Sequence, residues 1–298
     1  MCKKLFLSAL FVLIALQTLF ANQRGAPNNE NQQSFGLDYR LDSKAKQHRL
    51  VVLDPAIIEI IYMLNEQHAI QAIASLQHSH IYPEEQTKKL PSVGTFSNPS
   101  IEKIIATKPT LVILSLYSLG LREKLENLGI KTAYFEANRL DEMYDNIQNV
   151  AKILGVESKG KELAQKTRKQ IQELKANPIG KSAIFLYSSN PLMGFNDNSM
   201  VADIMRIVGL ENKTIATQIP RPIISNEFLL KANPDMLIFD LQITDKETLI
   251  AQNPILKNLT AYKNGEIYAC SPKVHTLLRA SPTIVERIKH FKNHLMKN

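Results

Sequence analysis

Cysteine is scarce in this sequence: only Cys2 and Cys270 occur among its 298 residues. Two cysteines without a CxxC motif exclude a disulfide framework and a cysteine-rich zinc site. Neither basic nor acidic residues are concentrated in one segment, because the 36 basic and 28 acidic residues are interspersed along the chain. We therefore predict no nucleic-acid partner, despite a formal net charge of +8.

Motifs of common enzyme families are also absent. The sequence contains no GxGxxG, GxSxG or HExxH, so it carries no dinucleotide-binding, serine-hydrolase or zinc-protease signature. Residues 155–162 approach a phosphate-binding loop, but Glu162 replaces the final hydroxyl residue and the flanks are helical. We predict that the chain is not an enzyme and has no intrinsic cofactor.

The N-terminus holds the longest apolar run of the chain. Two lysines precede the apolar residues 5–16, and the small residue Ala21 stands before a polar stretch. This pattern predicts a secretory signal peptide over residues 1–21, cleaved near Ala21. Residues 22–47 are rich in Asn and Gln and are predicted to form a flexible tether.

Beyond this tether, short apolar runs alternate with segments of helical periodicity. The alternation fills residues 48–150 and 179–298 and predicts two α/β lobes, each with a mainly parallel sheet flanked by helices. One continuous helix is predicted over residues 247–259 of the second lobe. Residues 151–178 contain no strand candidate and predict a long rigid backbone helix that joins the lobes. Such an architecture leaves a cleft in which a small ligand binds.

An internal repeat supports two similar lobes. Residues 102–113 can be aligned with residues 227–238, because each segment begins with Glu, has Pro seven residues later and then continues as an apolar strand. A proline after a helix is common. The shared offsets nevertheless indicate a repeated helix–strand unit.

The order of several motifs resembles one known family, the periplasmic substrate-binding proteins of ABC importers for ferric siderophores, haem, cobalamin and related metal chelates. The motifs are the Asp54 turn, Pro91–Gly94, Asn98–Lys103, Lys108–Ile113, Leu128–Ile130, Asn233–Ile238, Ala261–Tyr268 and Ala280–Pro282. The resemblance implies two lobes joined by one long helix, a periplasmic location, and delivery of a small-molecule metal chelate to an inner-membrane ABC permease and its ATPase.

The sequence departs from that family in one segment. Many relatives carry a tryptophan within the stretch that corresponds to residues 254–259, whereas this chain has no tryptophan at all. An indole platform for the ligand is therefore absent, which favours an anionic chelate over cobalamin.

Histidines supply the candidate metal ligands. His78, His80 and Tyr82 lie in the loop after the second predicted strand, at the sheet edge where α/β proteins bind ligands. Two imidazoles two residues apart can converge on one metal ion, and a phenol suits Fe(III) or haem iron. We predict His78, His80 and His275, from the corresponding loop of the other lobe, as metal ligands, and all four residues as ligand-binding. The alternative is that they are solvent-exposed loop residues.

Two arginines are candidates for recognition of an anion. Arg221 stands between two prolines, and this stiff loop lowers the entropy that the guanidinium loses when it binds an anion. Arg279 precedes the last helix, and either residue could pair with a carboxylate or catecholate oxygen of a chelate, or with a surface acid. Tyr117 and Tyr187 follow predicted strand ends and are expected to line the cleft, unless they belong to the core.

Two acidic residues have a different expected role. Glu102 and Glu227 stand in the first turn of the two repeated helices, where the helix dipole favours an acid. The family resemblance implies that an acid at each of these places contacts permease arginines. We predict that Glu102 and Glu227 are permease-contact residues.

Together these features predict a periplasmic receptor that captures an iron, nickel or cobalt chelate, either siderophore-like or haem, between two lobes. A cobalamin receptor of the same family is the first alternative. A metal-dependent hydrolase is a more remote one, because it needs an acid or base beside His78 and His80. A storage or scaffold protein would instead have a filled cleft.

Overall fold

The structure, a computed structural model, describes residues 48–77, 79–240 and 243–297. The predicted signal peptide, the predicted tether and His78 therefore lie outside the described residues. Within the described ranges, no helix is both long and apolar enough to cross a membrane.

The first lobe is built on a six-stranded sheet. Its strands are β1 (Leu50–Val52), β2 (Ile70–Ser75), β3 (Ser92–Thr95), β4 (Asn98–Pro99), β5 (Leu111–Leu114) and β6 (Thr132–Tyr134). Their spatial order is β4-β3-β2-β1-β5-β6, and every pairing is parallel except that of β3 with β4. The residues of β1 and β5 are all buried, as expected for central parallel strands covered on both faces.

Helices cover this sheet. They are α1 (Pro55–Met63), α2 (Glu84–Thr87), α3 (Ile101–Ala106) and α4 (Arg122–Asn127), with a short 3-10 helix at Leu116–Leu121. Helix α1 begins directly after β1 because Asp54 caps it: the Oδ1 atom accepts a hydrogen bond from the Ala56 amide at 2.7 Å. The cap places Asp54 at the carboxyl edge of the sheet.

Two helices form the connection between the lobes, α5 (Glu142–Ile153) and α6 (Glu157–Leu174). Helix α6 has 18 residues and spans about 27 Å. It packs closely on α5, since a Cβ added at Gly160 would lie 2.3 Å from the Cβ atom of Ala151. The predicted long connecting helix is confirmed: within residues 151–178, α6 starts at Glu157, after a break at Gly155.

Each end of α6 is fixed to one lobe. Near its beginning, Lys159 Nζ lies 2.7 Å from Glu66 Oε1 in the first lobe. At its end, Lys292 of the second lobe donates a hydrogen bond to the Leu174 carbonyl at 2.8 Å, and the Lys292 side chain is buried. Such attachment at both ends is typical of a connector that does not act as a loop hinge.

The second lobe contains a five-stranded sheet. Its strands are β7 (Lys181–Ser189), β8 (Leu192–Gly194), β9 (Leu210–Asn212), β10 (Met236–Phe239) and β11 (Ile267–Ala269). The order is β11-β10-β7-β8, and β9 pairs with the first half of β7. All pairings are parallel except that of β7 with β8. The predicted mixture of two mainly parallel sheets flanked by helices is confirmed.

In the described part of the second lobe, six helices surround this sheet. They are α7 (Met200–Val208), α8 (Asn226–Ala232), α9 (Lys246–Gln252), α10 (Thr260–Lys263), α11 (Val274–Leu277) and α12 (Ile284–Met296). The predicted helix over residues 247–259 is wrong in extent: α9 ends at Gln252, and a separate 3-10 helix follows at Pro254–Asn258. Proline lacks the amide hydrogen needed to continue the helix and clashes with the preceding turn.

The repeated segments of the two lobes have the same local structure. Helix α3 is followed by β5, and helix α8 is followed by β10. Ser100 and Ser225 occupy the two N-cap positions, where their hydroxyl oxygens accept hydrogen bonds from the amides of Lys103 at 3.2 Å and Phe228 at 3.1 Å. The predicted helix–strand repeat is therefore confirmed.

Candidate ligand-binding cleft

A cleft of about 920 Å³ lies between the two sheets, at the carboxyl ends of their parallel strands. Its volume is near the upper end of the range of about 300–1,000 Å³ found for small-molecule pockets. First-lobe segments that follow β1, β2, β5 and β6 form one wall, and the second lobe contributes residues from the Phe195–Val201, Pro220–Arg221 and His275–Ala280 segments. This position agrees with the general location of ligand sites in α/β folds.

Aromatic side chains line mainly the first-lobe wall of the cleft, because Phe195, the aromatic residue on the other wall, is only 4% exposed. In the first lobe the Phe96 and Tyr117 rings lie 5.1 Å apart, and 67% of Tyr117 is exposed. Across the cleft, Phe195 packs edge-on against Phe185 at a centroid distance of 5.6 Å. These surfaces suit the face of a large, partly apolar ligand. Tyr117 lines the cleft, and its contact with a ligand stays a prediction.

Asp54 is the only carboxylate among the described residues that line the cleft. Burial raises the pKa of this carboxyl group to about 6, against the lowering effect of the Ala56 and Ile57 amides and of Arg279. The floor of the cleft therefore holds a group that changes charge in mildly acidic solution.

Arg221 presents its guanidinium group on the second-lobe wall. The central carbon of that group lies 4.3 Å from the ring centre of Tyr187 and 5.7 Å from that of Phe195. Among the described residues no acid forms an ion pair with Arg221. Tyr187 does not line the cleft; its ring packs against the Arg221 guanidinium. It lies within β7, whereas it was predicted to follow the end of a strand.

The loop that carries Arg221 is fixed by Asn196. The buried Asn196 side chain donates hydrogen bonds to the carbonyls of Thr217 at 2.8 Å and Ile219 at 2.9 Å. Its own amide donates to the Pro220 carbonyl at 3.1 Å. The loop conformation is thus set before any ligand binds, as the flanking prolines predicted.

His275 lines the cleft from the short helix α11. Asp240, buried at the end of β10, accepts a hydrogen bond from the Val274 amide and lies 3.2 Å from Lys273 Nζ. These contacts hold the start of α11 and thereby place His275 at the cleft.

Only some of the residues in the loop after β2 line the cleft. Gln77 and Ser79 line the cleft, whereas His80 and Tyr82 do not. The His80 Nδ1 atom lies 3.0 Å from Glu84 Oε1, and Tyr82 is 55% exposed. Among the described residues, no group of three or more His, Cys, Asp or Glu side chains is placed to hold a metal ion. Because His78 lies outside the described residues, direct metal ligation by the three histidines stays a prediction.

Arg279 lines the cleft but is already engaged by protein groups. Its Nη1 atom lies 2.7 Å from Glu59 Oε1 and 2.6 Å from the His80 carbonyl oxygen. Its Nη2 atom donates to Ser79 Oγ at 3.2 Å, and the side chain is buried. Arg279 thus connects the lobes, and its predicted role in binding a chelate oxygen stays a prediction.

Glu102 and Glu227 are exposed in the first turns of α3 and α8, as their repeat predicted. Backbone and Ser100 hydrogen bonds to the Glu102 carboxylate lower its pKa, and the Ser100 hydroxyl donates at 2.9 Å. Both helices follow segments that reach the cleft, namely Thr95–Ser97 and Pro220–Arg221. Their contact with a permease remains to be tested.

Comparison with known proteins agrees with this geometry. A family model described as periplasmic binding protein matches residues 50–274. The chain belongs to this family.

Individual relatives have low sequence identity to this chain. The vitamin B12-binding protein of Salmonella choleraesuis is 27% identical over 195 residues, which are 64% of this chain and 71% of the relative. A possible iron-binding protein from Staphylococcus epidermidis has a TM-score of 0.73 at 22% identity, covering 83% of this chain and 98% of that one. The periplasmic heme-binding protein of a Roseiflexus species has a TM-score of 0.68 at 24% identity, covering 84% and 98%.

Sequence reasoning missed several residues that shape the cleft of this periplasmic binding protein. Glu59 is the only charged residue of the otherwise apolar helix α1, a signal that a buried charge needs a distant partner. Asn196 lies in a polar loop sequence and Asp240 directly follows an apolar strand, so neither gave such a signal. Their roles depend on contacts with segments far away in the chain.

Proposed function

We propose that this protein is the periplasmic receptor of an ABC importer and that it captures a metal chelate in the cleft between its lobes. The observation that carries the proposal is the Arg221 guanidinium, which has no acidic partner among the described residues and lies on the Tyr187 ring at the wall of a cleft of about 920 Å³. A cation supported by aromatic rings binds the anionic edge of a ligand whose faces are apolar. Membership of the periplasmic binding protein family supports the binding role.

The ligand that this cleft fits best is an iron, nickel or cobalt chelate with an anionic edge, either haem or a siderophore-like complex. The Phe96 and Tyr117 rings of the first-lobe wall would cover one of its faces, and Arg221 would pair with its carboxylate or catecholate oxygens. His275 adds an imidazole at the same cleft for a metal whose coordination shell is incomplete.

Cobalamin is the second candidate, because curated relatives are named as vitamin B12-binding proteins. Corrin faces are apolar, and the corrin periphery carries amides that would pair with the hydroxyl and amide side chains of the cleft. Those side chains belong to Ser75, Gln77, Ser79, Thr95, Ser97, Asn138, Asn146, Asn198 and Ser199.

Calorimetric titration of the mature protein distinguishes these candidates. Because the chain has no tryptophan, calorimetry and ligand absorbance replace intrinsic indole fluorescence. Haemin, a ferric tris-catecholate and cyanocobalamin are titrated in parallel, with metal-free protoporphyrin as the control for the contribution of the metal. Micromolar or tighter binding of one metal chelate is expected, and failure of all three would overturn the proposal.

Location and delivery complete the proposal. Export would follow from the signal peptide predicted over residues 1–21, and N-terminal sequencing of periplasmic protein should start near Asn22. Delivery to an inner-membrane permease and its ATPase would use the exposed acids Glu102 and Glu227 of the two lobes.

A further inference from the structure

A single buried carboxylate connects the two lobes beside the cleft. Glu59 lies one turn into α1 of the first lobe, and its side chain is fully buried. Arg279 Nη1 lies 2.7 Å from Glu59 Oε1, and Arg287 Nη1 lies 3.4 Å from Oε2. Both arginines belong to the second lobe, so the carboxylate pairs with cations from the opposite side of the interface.

Hydroxyl and amide groups complete the surroundings of Glu59. Thr283 and Ser281, also of the second lobe, donate hydrogen bonds to Oε2. The Tyr82 amide, from the first lobe, donates to Oε1 at 3.2 Å. Burial raises the pKa of Glu59, but the two arginines and the two hydroxyl groups outweigh it, so the pKa lies below the ordinary value.

The same cluster fixes two loops that form the cleft. Arg279 extends from Glu59 to the His80 carbonyl at 2.6 Å and to Ser79 Oγ at 3.2 Å. Ser79 lines the cleft from the first lobe, and Arg279 and Ala280 line it from the second. Glu59 thus holds the loop after β2 against the segment that follows α11.

Separation of the lobes at this point would leave charged groups without partners. A buried carboxylate that loses its cations is strongly unfavourable, whereas the ion pair as a whole is close to neutral in energy. The contact therefore favours one relative position of the two loops over a range of open positions. Helix α6 attaches to the lobes elsewhere, through Glu66 and Lys292, and the partly exposed Arg139–Asp203 ion pair is a further connection between the lobes.

We propose that Glu59 is a positioning residue that locks the two cleft-forming loops together in the free protein, and that this lock sets how long a bound ligand stays. The effect on how long a ligand stays bound rests on the proposed function, whereas the lock in the free protein does not. A preformed cleft spends little binding energy on closure, and loss of the lock acts mainly on dissociation.

The test uses the mature protein with Glu59→Gln, which keeps the shape and removes the charge. Spin labels at cysteines introduced at Lys124 and Lys231, exposed positions in the two lobes, report the interlobe distance by pulsed dipolar spectroscopy. Cys270 does not interfere, because its thiol is buried and burial raises its pKa. Glu266→Gln is the matched control, since Glu266 pairs with Lys181 inside the second lobe.

In the free protein, wild type and Glu266→Gln should give one narrow distance distribution, and Glu59→Gln a broader one with longer distances. Stopped-flow release of haemin and cyanocobalamin should accelerate about tenfold or more in Glu59→Gln, with the association rate changed by less than about threefold. A folded Glu59→Gln protein with the wild-type distance distribution and release rate would overturn the proposal.

Two further outcomes keep the test decisive. If Glu59→Gln does not fold, Thr283→Val removes one hydroxyl donor to Glu59 outside the cleft lining, and the proposal then requires a distribution broader than that of wild type. If wild type binds none of haemin, the ferric tris-catecholate and cyanocobalamin, the proposed function fails, and the distance measurement on the free protein still decides whether Glu59 locks the lobes.

Discussion

The Arg221 guanidinium carbon lies 4.3 Å from the centre of the Tyr187 ring, on the second-lobe wall of the cleft. Stacking on a ring leaves the edge of the guanidinium plane available for hydrogen bonds to a ligand. The buried Asn196 side chain fixes the loop at the same time. Arg221 is therefore oriented before ligand arrives, which reduces the entropy cost of recognition.

The first prediction concerns Arg221→Ala. Loss of a hydrogen bond to a charged group costs about 1.5–3 kcal/mol, so affinity for an anionic chelate should fall about ten- to hundredfold. Arg221→Lys should recover little, because an ammonium group does not stack on Tyr187. Calorimetric titration with haemin measures both variants.

Arg168→Ala is the matched control for this prediction. Arg168 also stacks on a tyrosine, Tyr144 at 4.5 Å, but it lies on α6 and does not line the cleft. Its removal should leave haemin affinity unchanged. Equal losses in the Arg221 and Arg168 variants would contradict a specific role for Arg221.

The second prediction follows from the pKa of Asp54, which burial raises from 3.8 to about 6. A raised pKa means that the neutral form favours the fold, so stability present below pH 4 is lost as the pH rises through about 6. Asp54→Asn keeps a good N-cap and removes this loss. The free energy of unfolding of this variant should exceed that of wild type by at most about 3 kcal/mol at pH 8 and equal it near pH 4.

Urea unfolding at several pH values tests this prediction, with Asp235→Asn as a control of opposite sign. Hydrogen bonds from Ser182 lower the pKa of Asp235, so that carboxylate stabilises the fold above its unfolded pKa and loses the effect as the pH falls. The Asp235→Asn variant should therefore be less stable than wild type at pH 8. A pH-independent difference for Asp54→Asn would refute the assignment.

The extent to which the sequence predicted these features differs between fold and cleft. The helix–strand units predicted over residues 102–113 and 227–238 are present as α3 with β5 and as α8 with β10. The short strands β8 and β9 were missed, because three residues carry no period. Pro254 should have ended the helix that was predicted to continue to residue 259.

Cleft residues were harder to predict because their roles depend on distant partners. Arg221 and His275 were chosen as candidates from loop chemistry; both line the cleft, and their contacts with a ligand stay predictions. Arg279 was expected to face the ligand, yet its strongest contact is Glu59, which lies 220 positions earlier in the chain. No local pattern reports a pairing over that separation.

The third prediction separates the histidines. His275→Ala should weaken binding of an incompletely coordinated metal chelate and remove the fall in affinity below about pH 6, because a protonated imidazole does not coordinate metal. His80→Ala should have little effect, since its ring contacts Glu84 and does not line the cleft. If alanine at His78, His80 and His275 together changed neither affinity nor pH profile, no histidine would be a ligand.

The fourth prediction concerns the size of the interlobe movement. Besides α6 and Glu59, Arg139 joins the lobes through Asp203 of α7, with Nη2 to Oδ1 at 2.6 Å. Three connections leave little freedom for a hinge. Small-angle scattering should show nearly the same radius of gyration with and without ligand, and a large decrease on binding would contradict rigid lobes.

The last prediction separates binding from delivery. Glu102 and Glu227 occupy equivalent first turns in the two lobes, so each can meet a cation of a permease that spans both lobes. Charge pairs of this kind set docking orientation and encounter rate. The double variant Glu102→Lys and Glu227→Lys should bind ligand as wild type does but fail to support uptake in cells that depend on the chelate.

The control for net charge is a second double variant, in which two acidic residues on other helices are changed to lysine. Glu157 and Glu286 are exposed first-turn acids of α6 and α12, and neither lines the cleft. Their reversal to lysine should leave both affinity and uptake near wild type. Since the two double variants differ only in where the charge is reversed, loss of uptake confined to the first identifies the permease-contact surface. Full uptake by a folded Glu102→Lys, Glu227→Lys protein would show that these acids do not dock the permease.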